Sequence, residues 1–189
     1  GIPYTVYGGT KFFDRTEVKD MLAYLCVVHN PSDDLRLKRI INTPARGIGA
    51  RTVELAESVA EQEGKPIYEV ILHAAEYPQL VKQAAKLGKF TEIMESLRKK
   101  AGTMDLTDFY DEVVAASGYI TALEAKNTVE NRSRIENVQE LKSSIQGYLE
   151  NAEEPSLAGF LDEVSLYTDL DNRNADEPCV TMMTIHSSK

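Results

Sequence analysis

The stretch Thr43-Pro44-Ala45-Arg46-Gly47-Ile48-Gly49 joins two helical patterns and lies within a local patch of net charge +5. Residues 36–51 hold Arg36, Lys38, Arg39, Arg46 and Arg51 and no acid. Two glycines beside the first turn of a helix let another backbone approach closely, at a place where the helix N–H groups lack intrahelical partners. The helix dipole favours an anion there by about 0.3–1 kcal/mol, and Arg46 and Arg51 can add charge-assisted hydrogen bonds. The chemistry open to this turn is phosphate binding that reads no base edge. The same residues also fit a tight interhelical turn with solvated arginines.

Other candidates carry less. Arg15 falls at the start of a helix, where a cation opposes the dipole, so it is expected to pair with Asp14 or Glu17 or to reach a phosphate or an adjoining domain. At the other end, an apolar run at residues 180–185 delivers Thr184, His186 and Lys189 to the carboxyl end of a strand, where open α/β sheets place ligand-binding groups. A His in that setting is also commonly structural. No Gly-x-x-x-x-Gly-Lys-Ser/Thr loop occurs, and no acidic pair follows an apolar strand as a magnesium site requires. Asp111-Glu112 and Asp162-Glu163 fall on helical patterns and read as solvated faces. Cys26 and Cys179 are far apart in apolar surroundings and read as buried free thiols, while His29, His73 and His186 share no ligand spacing with them. Neither a catalytic residue nor a metal site is expected in this chain.

The elements that must position the turn are mostly helices. Residues 4–7 read as a short strand stopped by Gly8-Gly9. Asp14 and Glu17 resemble a capping box before Val18, Met21, Leu22, Leu25 and Val28 at helical spacing, and Asn30-Pro31-Ser32 ends that helix. Leu35, Leu37, Ile40 and Ile41 mark a second helix running to about Asn42. Beyond the turn, Val53, Leu55, Ala56, Val59 and Ala60 predict a helix ending at Gly64, and Pro66 suits the first turn of the next. Further helical segments are predicted over 67–75, 90–101, 106–117, 129–148 and 157–167, with the clearest stripe at Ile135, Val138, Leu141, Ile145 and Leu149. Residues 169–177 read as a solvated acidic loop, and residues 180–185 as a buried strand. Two lone strands make a poor sheet. The fold expected is therefore mainly α, a helical bundle inserted between two short strands that belong to a neighbouring sheet-containing domain.

The 189 residues, 42% of them hydrophobic, suffice for one sizeable core. No apolar run is long enough to span a membrane and the first residues lack signal-peptide character, so a cytoplasmic chain with no membrane partner is expected. Both ends read as cut from a longer chain. The formal net charge of −9 argues at first against a nucleic-acid partner. Residues 150–177, however, hold nine acids against Arg173 alone, which leaves the remainder nearly neutral and makes the basic stretch at 36–51 stand out.

Three stretches in order resemble the UvrD/PcrA/Rep-type superfamily 1 ATP-dependent DNA helicases. They are Ile2-Pro3-Tyr4 with Gly8-Gly9, Phe12-Phe13, Arg15 and Glu17-Val18-Lys19-Asp20 through Ala23-Tyr24-Leu25; Asn42 through Gly49 with Thr52; and Met183-Thr184-Ile185-His186-Ser187-Ser188-Lys189, similar to the opening of helicase motif V. Ser133-Arg134-Ile135-Glu136-Asn137 with Glu140-Leu141 is a fourth, smaller match. The resemblance implies a 2B subdomain with flanking pieces of the RecA-like (P-loop NTPase) motor domain 2A. Residues 1–14 would be a 2A strand and turn, 15–168 the helical 2B subdomain, 169–178 an acidic loop, and 179–189 a 2A strand entering motif V. It implies duplex contacts from Arg46, Gly47, Gly49, Arg51 and Thr52, with Lys38 and Arg39 in the same basic patch, and a coupling role for Thr184, His186 and Lys189. No cofactor is expected in this stretch, while the intact enzyme would use ATP and Mg to move 3′ to 5′ in DNA repair or replication. The partners implied are duplex and junction DNA, the remaining helicase domains and repair or replication proteins. A protein-interaction or autoinhibitory role for the same domain is the alternative.

Overall fold

The computed structural model describes residues 12–174, with side chains through residue 168. The strands expected at 4–7 and 180–185, the Gly8-Gly9 turn, Cys179 and the candidate residues Thr184, His186 and Lys189 lie outside the described residues. Within them the chain is mainly helical and contains no strand. The helices are α1 Thr16–His29, α2 Asp34–Ile40, α3 Ala50–Glu63, α4 Ile67–Leu72, α5 Ala84–Lys100, α6 Leu106–Ser117, α7 Tyr119–Glu124, α8 Val129–Asn151 and α9 Leu157–Asn174. Single 3₁₀ turns at Ala74–Glu76 and Val81–Gln83 lead from α4 into α5. No helix among the described residues is long and apolar enough to cross a membrane.

Helix α1 is the hub, because it is apolar on nearly every side. Val18, Met21, Ala23, Tyr24, Leu25, Val27 and Val28 are all buried, and a helix hydrophobic all round must be surrounded by others. It packs against α2, α5, α6, α8 and α9. The stripe on α8 behaves as its spacing predicts, with Val138, Leu141 and Ile145 fully buried. The phenol of Tyr110 on α6 donates to the Val138 carbonyl at 2.6 Å, which satisfies a hydroxyl inside this interface.

Local signals explain most helix ends. Asp33 caps α2 by accepting from Arg36 N, Asp105 caps α6 through Thr107 N, and Thr128 caps α8 through Asn131 N. Gly64 ends α3 in the left-handed conformation. The expected capping box at α1 does not form. Arg15 is the N-cap and offers no side-chain cap, Asp14 pairs with Lys19 at 3.7 Å, and the buried Glu17 accepts from Asn137 Nδ2 at 2.5 Å. Arg15 itself stacks on Phe12 and donates to Asn137 Oδ1, so the cation that opposed the dipole is held by α8 and not by Asp14 or Glu17.

Two further expectations change. Residues 169–174 are the end of α9, not a loop, because no Gly or Pro after Gly159 interrupts the helix before Pro178. Helix α7 is additional: Gly118, at φ 70°, ends α6 and directly begins another helix. The acids on α6 are more than a solvated face. Asp111 pairs with Lys142 on α8 at 2.5 Å and Glu112 with Lys100 on α5 at 2.6 Å. Phe12 belongs to the core, and Phe13 stacks on Tyr167 of α9 with ring centroids 6.4 Å apart, so packing is continuous across the expected boundary at residue 14.

The α8–α9 corner supplies a prediction. A Cβ at Gly159 would collide with the Tyr148 hydroxyl, which also accepts from Ser156 N at 3.2 Å while its ring tilts onto Phe160. Gly159→Ala should destabilise the chain by about 1–2 kcal/mol, in the range for overpacked sites. Urea unfolding measures this, and an unchanged midpoint would show that the corner relaxes freely.

Candidate nucleic-acid interface

The segment between α2 and α3 is a loop with a fixed inner half and an open outer half. Asn42 organises it, its Oδ1 accepting from Arg46 N at 2.7 Å and from Ile48 N at 3.1 Å, a local pattern that Asn favours in turns. Ile48 is 1% exposed and anchors the loop in the core. The Tyr24 phenol donates to the Thr43 carbonyl at 2.5 Å, and the Thr43–Pro44 peptide bond is cis.

Arg46 belongs to the inner half. Its Nη1 donates to the carbonyls of Ile40 at 3.0 Å and Pro44 at 3.3 Å, and its Nη2 to the Tyr24 hydroxyl at 2.6 Å and the Ser117 carbonyl at 3.0 Å. The guanidinium also lies 5.8 Å from the Tyr24 ring centroid and 5.4 Å from that of Phe90. Arg46 is thus a staple holding the loop to α1, α5 and the end of α6. Burial pushes the Tyr24 phenol above its ordinary value against the pull of Arg46, so at neutral pH Tyr24 keeps the proton it donates to Thr43.

The rest of the basic stretch is largely spent on pairs. Arg39 donates to Asp20 at 2.7 Å and to the Thr16 carbonyl at 3.3 Å. Lys38 meets Glu57 at 2.5 Å, a hydrogen bond that raises the ammonium above its usual pKa, and Arg36 meets Asp33 at 2.8 Å. Thr52 is buried, and its N–H donates to the Gly49 carbonyl at 3.0 Å, so its side chain faces the core. The acids that neutralise Lys38 and Arg39 come from other helices, and charge counted along one stretch cannot include them.

The outer half consists of Gly47, Gly49, Ala50 and Arg51, all exposed. Gly47 sits at φ 72°, a region where side chains other than Gly are strained. Gly49 is the N-cap of α3 with no side-chain cap, and the first turn of α3 contains no acid. The N–H groups of Gly49, Ala50 and Arg51 meet no protein acceptor among the described residues. The Arg51 side chain is 81% exposed, with only a 3.6 Å approach to Glu54. One neighbour was not foreseen: Lys86 of α5 places its Nζ 3.3 Å from the Gly47 carbonyl. Its signal in the sequence is a second basic stretch without acids, residues 77–91, which holds Lys82, Lys86 and Lys89.

This open helix start flanked by Arg51 and Lys86 can receive an anion without rearrangement. Among the described residues no group of three or more His, Cys, Asp or Glu could hold a metal. The whole chain, residues 1–189, matches the UvrD-like helicase C-terminal domain. The chain belongs to that family. It is 40% identical to the ATP-dependent DNA helicase PcrA of Staphylococcus aureus and 39% identical to that of Staphylococcus epidermidis, in each case over its full length. It spans 26% of the length of these relatives.

Proposed function

We propose that this UvrD-like helicase C-terminal domain grips the phosphate backbone of duplex DNA, as the accessory 2B subdomain of an ATP-dependent 3′–5′ DNA helicase in repair or replication. ATP and Mg would be held by motor segments beyond the described residues, and this stretch would supply positioning and grip. One observation carries the reading. The start of α3 presents three N–H groups without acceptors, no capping side chain and no acid, between Arg51 and Lys86. A helix that begins so is an anion site. Contacts of this kind fix position on a duplex and are indifferent to its sequence.

The test is fluorescence anisotropy with a duplex–single-strand junction over a range of salt. The chain should bind with an affinity that falls steeply with salt and does not depend on sequence. Arg51→Glu reverses a charge at the mouth of the site without touching the core, and should weaken binding about tenfold. A folded chain that ignores the junction even at low salt would overturn this reading in favour of a protein-docking role.

A further inference from the structure

Three stretches of this acidic chain combine three or more cations with no acid, residues 35–53, 77–91 and 96–104. In the third, Arg98 and Lys100 are paired with Glu95 and Glu112, and the first two lie side by side. The fold joins them where Lys86 meets Gly47. Among the described residues the lysines with no carboxylate within ion-pair distance are Lys82, Lys86, Lys89, Lys99 and Lys126, whereas Lys19, Lys38, Lys65, Lys100 and Lys142 are paired. Three of the five unpaired lysines therefore fall in one short stretch. Lys86 and Lys89 are neighbours on one face of α5, being three residues apart, and Lys82 lies four residues before Lys86 in the 3₁₀ turn leading into the helix. All three are exposed. The core-facing residues of α5 are Leu87, Phe90, Met94 and Leu97, and Glu92 and Glu95 bound the lysines on the C-terminal side.

We infer that Lys82, Lys86 and Lys89 form a second phosphate-contacting row that continues the α3 turn along the duplex, with Lys86 as the shared member. The inference rests on the reading of that turn as a duplex contact. Lys86 and Lys89 stand about 4.5 Å apart along the axis of α5, at 1.5 Å per residue, and Lys82 in the preceding 3₁₀ turn extends the row to about 10 Å, the rise of about three base pairs at 3.4 Å per step. A row of that length can follow a strand past the phosphate held at the helix start. Lys86 and Lys89 on one face of α5, with Lys82 just before them, repel one another, so without a polyanion the arrangement works against itself. Lysine supplies point charges on flexible stems, suited to contacts that need no fixed geometry.

The experiment compares salt slopes for the parent chain, Lys82→Gln/Lys86→Gln/Lys89→Gln, and the control Lys99→Gln/Lys126→Gln, each checked for folding by circular dichroism. On a duplex-containing junction the triple change should make the negative slope of log K against log salt shallower by about 2–3, at about 0.9 per phosphate contact. It should also weaken low-salt binding about tenfold or more, and the control should track the parent. On a single strand of the same sequence the triple change should have little effect. An unchanged slope on the junction, or an equal loss from the control, would overturn the lysine row while leaving the α3 turn intact. A parent chain that fails to bind would overturn both.

Discussion

Arg46→Ala is expected to destabilise the chain by about 2–4 kcal/mol and to weaken duplex binding without lowering its salt slope. The first effect follows from what the guanidinium satisfies: the carbonyls of Ile40, Pro44 and Ser117 and the hydroxyl of Tyr24, with the faces of Tyr24 and Phe90 beside it. Removing a charged donor from partly buried acceptors leaves each of them short of a partner, at about 1–3 kcal/mol for a buried group. Water can reach the looser of these positions, which keeps the total below the sum. Arg46→Lys should recover little, because a single ammonium cannot span four acceptors arranged around a planar fork or stack on two rings.

The second effect separates positioning from contact. Arg46 holds the loop that sets Gly47 and Gly49 at the start of α3, so its loss should loosen the site and reduce affinity. Its guanidinium is already committed to four protein oxygens, so the dependence on salt should stay that of the parent, whereas Arg51→Glu should make it less steep. Urea unfolding and salt titration under conditions where the variant is fully folded measure the two effects. A stability change below about 0.5 kcal/mol would contradict the staple, and a slope reduced by about one would restore Arg46 as a phosphate contact.

The fold was legible wherever a helix end depends on neighbouring residues. Asn30-Pro31, Gly64 and Pro66 stop and start helices through their own backbone chemistry, and α1, α3, α6 and α8 lie close to where the apolar spacing puts them. Gly118 misled because one glycine both ends α6 and opens α7. Residues 169–174 misled because their acids suggested a loop although nothing there breaks a helix. In the candidate site, Gly47, Gly49 and Arg51 were readable from the turn itself. The fates of Lys38 and Arg39 were not, since each depends on an acid 19 residues away in sequence. Nor was Lys86, whose contact with Gly47 spans 39 positions. Arg46 is the sharpest case: an arginine beside two glycines looks like an anion ligand until Tyr24, Phe90 and Ser117 arrive from three other helices.

Asp20→Asn should cost about 2–4 kcal/mol, with most of it recovered in a Tyr119→Phe background. Asp20 is 4% exposed, yet both its oxygens are used. One accepts from Arg39 Nε on α2 at 2.7 Å and the other from the Tyr119 phenol on α7 at 2.6 Å. A single carboxylate thus ties α1 to the helix before the Gly47–Gly49 turn and to the helix after Ser117. Burial, followed by this hydrogen bond, pushes the Tyr119 phenol far above its ordinary value, so it remains a donor at any pH the fold survives. An amide at position 20 keeps one acceptor and turns an NH₂ group toward one of the two donors, which leaves two donors facing each other in a buried place. Arg39, at 37% side-chain exposure, can turn to water. Tyr119, at 6%, cannot, so the larger part of the loss should come from its hydroxyl. Deleting that hydroxyl alone should cost about 1–2 kcal/mol, and the double variant should then be less than additive by about 1–3 kcal/mol, as for residues in one network. A cycle that closes additively would show that Asp20 and Tyr119 act independently and that the carboxylate serves Arg39 alone.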